Sequence, residues 1–138
     1  MRLIEQIVTL KHCCQSREEE LRESLGLTVS EYNCLGSFPS GETIISSELA
    51  ERLHLSPSRM SRVADVLVRK GFLERTQDKL DRRVQLYTLS FLGLEIKTGI
   101  QKFFDECEEN LKAHLSQADL VDIEKGMKAL LEAMKDAE

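Results

Sequence analysis

The stretch from Ser47 to Leu89 leaves the chain few ways to fold, because two short helices and a β-ribbon are punctuated there in close succession. The second helix opens at Ser56-Pro57. A serine oxygen can accept from the free N–H groups of a first turn. Proline suits the first helical position, where its missing N–H would have no intrahelical partner. Met60, Val63, Ala64 and Leu67 then recur at helical spacing and give one apolar face. The other face carries Ser58, Arg59, Ser61, Arg62 and Arg69. Gly71 stops the helix after Arg69-Lys70, cations that complement the helix dipole in a last turn. The helix before it starts near Ser46 or Ser47, points Leu49, Ala50 and Leu53 inward and ends at His54, which reads as a C-terminal cation or surface group. With the three-residue joint Leu55-Ser56-Pro57, this is a helix-turn-helix.

The next residues add a wing. Gly71–Arg75 and Val84–Leu89 are β-prone, and the second run alternates apolar with polar. Between them TQDKLDRR offers Asp78 and Asp81 as turn formers, so the tip presents Lys79, Arg82 and Arg83. In such a winged helix the Arg/Ser-faced helix can enter a major groove while the hairpin reaches the backbone or the adjacent minor groove.

These residues resemble the MarR (multiple-antibiotic-resistance regulator) family. The resemblance runs through Leu27-Thr28 and Tyr32, Glu48-Leu49-Ala50, and Ser56-Pro57-Ser58 with Ser61-Arg62. It continues through Lys70-Gly71-Phe72-Leu73-Glu74-Arg75, Asp78 with Asp81-Arg82-Arg83, and Leu89-Ser90 with Gly93, and so covers nearly the whole chain. It implies a mainly α fold with a small β wing. Residues 28–90 would form the winged helix-turn-helix DNA-binding domain, and residues 1–27 and 91–138 the helices of a dimerisation bundle, in one continuous compact protomer.

The net charge of −5 looks wrong for a nucleic-acid binder until it is partitioned. Residues 43–90 hold nine Lys+Arg and six Asp+Glu, a local +3 against −8 elsewhere. Phosphate contact depends on the local footprint, and here the arginines fall on one helix and one turn. At 138 residues the chain suffices for one domain with a real core. No apolar run approaches the ~20 residues that span a bilayer. Glu5 and Gln6 interrupt the first apolar segment and make it a poor signal peptide, so a cytoplasmic protein is expected, with no membrane partner.

Residues 1–25 read as one long helix with a stripe of Leu3, Ile4, Ile7, Val8, Leu10, Cys14, Leu21 and Leu25, ended by Gly26. Thr28-Val29-Ser30-Glu31 has capping-box spacing, and Tyr32, Leu35 and Phe38 form the next apolar face. Ser90 caps a long helix with Leu92, Ile96, Ile100, Phe103, Cys107, Leu111 and Leu115 on one stripe. Ser116 caps a last helix with Leu120, Ile123, Met127, Leu130, Leu131 and Met134. Long capped helices at both ends exceed what a small central module can bury, which favours a homodimer.

A recognition helix offers its N-terminal residues to base edges, here Ser58, Arg59, Ser61 and Arg62, with Ser56 and the first-turn N–H groups available to a phosphate. Arg59 or Arg62 can bind guanine bidentately. The family usually has a small hydroxyl residue where Arg59 stands, so this chain departs from it there. Lys79 is assigned to phosphate. Asp81 is expected to pair with a neighbouring arginine and fix the tip. Arg82 or Arg83 then enters the minor groove, and the resemblance favours Arg83. Two recognition helices about one DNA turn apart, ~34 Å, would demand a pseudo-palindromic double-stranded operator. Expected is a transcriptional regulator, a repressor rather than an activator, released by a small ligand or chemical signal.

The family's effector cleft lies between the DNA lobe and the dimer helices, and the resemblance puts His12, Cys13, Cys14, Arg17 and Tyr32 on it. Cys34 and Cys107 read as small core residues. Cys13 and Cys14 point in different directions on a helix, so one can be buried while the other faces a groove near Lys11 or Arg17, which would favour its thiolate. That makes a redox-sensing regulator an alternative, although neither matches the reactive position of the family's peroxide sensors. A zinc site from His12, Cys13, Cys14 and His114 lacks ligand spacing, so no metal or cofactor is expected. No phosphate loop, nucleophile elbow or HExxH is present, and no enzymatic activity is expected. The rival of a different class is a winged-helix protein-interaction module without DNA binding, which would have no need of arginines on both helix and wing.

Overall fold

The computed structural model describes residues 1–137. In chain order the elements are α1 (Leu3–Ser24), α2 (Val29–Ser37), β1 (Ile44–Ile45), α3 (Ser46–Arg52), α4 (Pro57–Arg69), β2 (Leu73–Gln77), β3 (Gln85–Leu89), α5 (Phe91–Ala113) and α6 (Gln117–Asp136). Local chemistry sets most of these boundaries. Gly26 closes α1 at φ +67°, in the left-handed region that glycine enters without strain. At α2, Thr28 Oγ1 accepts from the Glu31 N–H at 3.3 Å, and Glu31 Oε2 accepts from the Thr28 N–H at 2.7 Å, a complete capping box. Ser56 Oγ accepts from the Arg59 N–H at 3.3 Å to start α4, and Ser116 Oγ from the Asp119 N–H at 3.1 Å to start α6.

The first short helix starts at Ser46, one of the two positions read from the sequence, and does so without a side-chain cap. The residue before α3 is Ile45, which has no capping side chain and is held extended by pairing with Leu86 of β3. At the far end α3 stops at Arg52, and His54 takes a positive φ of 52° as the exposed residue that turns the chain. His tolerates that region better than most side chains.

The sheet departs from the two-stranded ribbon read from the sequence, since it has three strands. The order is β1-β3-β2, all antiparallel, with Ile44 opposite Tyr87, Arg75 opposite Tyr87 on the other side, and Gln77 opposite Gln85. β1 is two residues long and carries no alternation to read; it exists because β3 offers it a free edge.

Two compact units divide the chain, Met1–Gln101 and the segment from Lys102 on. In the first, α2 contributes Tyr32, Cys34 and Leu35, followed by Phe38, β1 contributes Ile44, and α3 contributes Leu49 and Ala50. α4 adds Met60, Ala64 and Leu67, the strands add Leu73 and Tyr87, and the start of α5 adds Ile100. The amphipathic spacing of α4 thus turns its apolar side into this core and leaves its Arg/Ser side outside. Lys97 on α5 donates to the carbonyls of Phe38 and of Gly36, covering the C-terminal end of α2.

The terminal stripes lie uncovered in the protomer. α1 has no buried residue, and Leu3, Ile4, Val8 and Leu10 are all exposed. Among the described residues from Lys102 on, none is buried, and Leu111, Val121, Ile123, Met127, Leu131 and Met134 stay exposed. Among the described residues no helix is long and apolar enough to cross a membrane.

Candidate nucleic-acid interface

All eight residues assigned to DNA contact, Ser56, Ser58, Arg59, Ser61, Arg62, Lys79, Arg82 and Arg83, are exposed. The first five line the start of α4. The oxygen of Ser56 is engaged there by the Arg59 N–H and lies 3.3 Å from the hydroxyl of Ser58, so the cap also orders its neighbour.

The wing tip is stiff for a seven-residue loop. Asp78 N–H donates to the Val84 carbonyl and Val84 N–H to the Asp81 carbonyl, each at 3.0 Å. The Asp78 carboxylate accepts from the N–H groups of Leu80 at 2.7 Å and Asp81 at 3.4 Å. Asp81 in turn accepts from the Arg83 N–H at 3.0 Å and its Nε at 3.3 Å. Two carboxylates therefore hold the loop, and the exposed cations stand around them.

A brace joins this wing to α4. Asp65 follows Arg62 by three positions, so the two are neighbours on one side of the helix. Asp65 pairs with Arg75 of β2, and the Arg75 guanidinium lies 5.5 Å from the ring centre of Tyr87 on β3. The wing is thus anchored to the flank of α4 that bears Arg62. Nothing in the sequence pattern singles out Asp65 or Arg75, because their pairing exists only once β2 folds back along α4.

A second link leaves the other end of α4. Lys70 Nζ donates to both Glu31 carboxylate oxygens at 3.1 Å and to the Gly26 carbonyl at 3.2 Å. Lys70 is read from sequence as a helix-end cation, but it reaches back to the α1–α2 turn. Glu31 is almost fully buried. Burial pushes its pKa up, but the Thr28 N–H and the Lys70 ammonium outweigh that and hold the carboxyl below its ordinary value. A carboxyl with a lowered native pKa adds stability that is complete above its unfolded pKa, ~4.3, and fades as pH falls through the native value. Glu31→Gln keeps an acceptor for the capping box and removes only the charge. We expect it to cost about 1 kcal/mol at pH 7, modest because Lys70 is partly solvated. In thermal melts from pH 7 to pH 3 the gap to wild type should close at the acid end; a gap independent of pH would refute the charge pairing.

The residues assigned to an effector cleft are not gathered together. A groove of about 340 Å³ is lined by Lys11, Cys14, Gln15, Glu18, Glu19 and Arg22 of α1 and by Val29 of α2. Of the five candidates only Cys14 lines it. His12, Cys13 and Arg17 are exposed outside it, and Tyr32 is a core residue at 3% exposure. Neither adjacent cysteine is buried in the protomer, contrary to the expected split, because α1 packs too little of its surface to cover either. Cys34 is fully buried, and burial pushes its thiol up to about 12, so it is an inert packing residue; Cys107 is half-buried. Among the described residues no three His, Cys, Asp or Glu side chains are grouped to hold a metal ion.

With this geometry in view, comparison with known proteins is direct. The MarR family model matches residues 27–84, from the α1–α2 turn to the end of the wing loop. That match takes in 58 of the chain's 138 residues, the part of this chain that is similar to the MarR family. Among curated relatives, the chain is 32% identical to the HTH-type transcriptional repressor MdtR of Bacillus subtilis over 80 residues, 56% of this chain and 52% of MdtR. It is 39% identical to the transcriptional regulator AdcR of Streptococcus pneumoniae over 57 residues, 41% of this chain and 39% of AdcR. The chain spans about half, or less, of the curated relatives it matches. The crystal structure of Streptococcus pneumoniae FabT in complex with DNA superposes with a TM-score of 0.90, covering 99% of this chain and 98% of FabT at 21% identity, a likeness of fold.

Proposed function

We propose that this protein is a MarR-family, sequence-specific regulator of transcription that binds a pseudo-palindromic duplex as a homodimer, represses from it in the cytoplasm and is released by a small ligand. The carrying observation is the brace from Asp65 to Arg75, which anchors the basic wing beside the exposed arginines of α4. A protein-interaction module would have no use for that alignment of cations. MdtR, named a repressor, and FabT, crystallised on DNA, support the same reading.

The partner protomer supplies what α1 and α6 lack. Each is a helix of more than five turns without a buried residue, and each carries exposed leucine, isoleucine, valine or methionine. A second copy would bury these stripes. Two α4 helices would then stand about one DNA turn apart, ~34 Å. An effector in the groove of Lys11 and Arg22 would act on the same body, because Arg22 also donates to the Leu27 carbonyl at 3.2 Å, one residue beyond the glycine that Lys70 of α4 holds.

The test is selection of bound duplexes from a random pool. A recovered motif with two inverted half-sites supports the reading; an unenriched pool overturns it. Lys79→Ala should then weaken binding to specific and random duplexes alike and flatten the plot of log K against log salt by about 1 per protomer, since one phosphate contact is lost. An unchanged slope would remove Lys79 from the phosphate contacts.

A further inference from the structure

Leu80 stands at the wing tip and is 99% exposed, above Met1 at 83% and Phe91 at 76%. It is not on any apolar stripe: Lys79 and Asp81 flank it, and Arg82 and Arg83 follow. It is held where it is, because its own N–H is fixed on the Asp78 carboxylate at 2.7 Å. A turn position of this kind ordinarily takes a polar residue or glycine. The surface that accepts such a tip must bury an isolated leucine and satisfy cations on both sides of it. An apolar protein face would strand those cations. A DNA minor groove offers deoxyribose walls about 6 Å apart with a row of phosphates along each rim.

We propose that Leu80 is a specificity-determining residue that seats between the sugar walls of the minor groove and selects A·T pairs there, a proposal that rests on the DNA-binding reading above. Leucine has no hydrogen bond to give or take. The floor of an A·T pair is recessed and bears only acceptors, whereas a G·C pair adds the guanine 2-amino group, which projects toward the tip and is a donor that leucine leaves unsatisfied. Apolar side chains pressed into the minor groove are an established way for proteins to read shape there. The arginines would bring the tip to the groove and Leu80 would test its floor.

The experiment uses the full chain on the duplex recovered by selection, with the wing-facing pairs changed from A·T to G·C and to inosine·cytosine. Inosine keeps the ring system of guanine without the 2-amino group. For wild type we expect G·C to weaken binding about tenfold and inosine·cytosine to restore most of it. Leu80→Ala should bind the A·T duplex more weakly, lose most of the discrimination against G·C, and keep the wild-type salt slope and melting temperature. Equal penalties for G·C in wild type and Leu80→Ala, or failure of inosine·cytosine to restore binding, would overturn the proposal. If wild type binds no duplex at all, it is the DNA-binding reading that has failed, and the leucine's role goes with it.

Discussion

Arg62→Ala is expected to erase much of the discrimination between the operator and random DNA while leaving non-specific binding nearly intact. Arg62 is exposed in the second turn of α4, on the flank tied to the wing through Asp65 and Arg75. A guanidinium there can span two acceptors of one guanine, and such a bidentate pair is worth about 1–3 kcal/mol of discrimination. In a homodimer the loss is taken twice, so affinity for the operator should fall by roughly a hundredfold. Titrations of operator and scrambled duplexes at one salt concentration measure the ratio. An equal fall on both would make Arg62 a phosphate contact and move base reading to Arg59.

The largest effect on stability is expected at Gly93. It lies in the first turn of α5 and is buried. A Cβ placed on it would collide with the carbonyl oxygen of Phe72, lie 2.9 Å from that carbonyl's carbon, and crowd Leu89 Cδ2 at 3.3 Å. The obstacle is backbone, so no side chain can swing aside. The same Phe72 oxygen accepts from the Ser90 N–H at 3.1 Å, and Ser90 Oγ donates to the Gly71 carbonyl at 2.5 Å. Pushing α5 away would break the joint between the end of β3 and the turn after α4. Gly93→Ala should cost about 3 kcal/mol and lower the melting temperature by roughly 10 °C. A shift under about 2 °C would mean that α5 has room to move. Gly99, with open space where its Cβ would go, is the control: Gly99→Ala should be neutral or stabilising.

The reading from sequence went furthest where the determinants are local. The caps at Thr28, Ser56 and Ser116, the stop at Gly71 and the amphipathic spacing of Met60, Ala64 and Leu67 each depend on residues a turn or two apart. It stopped short at β1, a two-residue strand with no alternation to read, and at the groove on α1, whose lining includes only Cys14 of the five effector candidates. A groove needs two helices, and the angle at which α1 passes α2 is not written in the period of either.

The sequence by itself determined that a capped, arginine-faced helix follows a shorter helix and precedes a basic β-turn, because capping, periodicity and turn chemistry act between near neighbours. Only the tertiary structure decided that Lys70 reaches Glu31, that Asp65 holds Arg75, that a third strand completes the sheet and that Gly93 meets Phe72. Those contacts join residues 10 to 43 positions apart, and their energy exists only after the core of Leu35, Leu49, Leu67 and Tyr87 has brought the segments together.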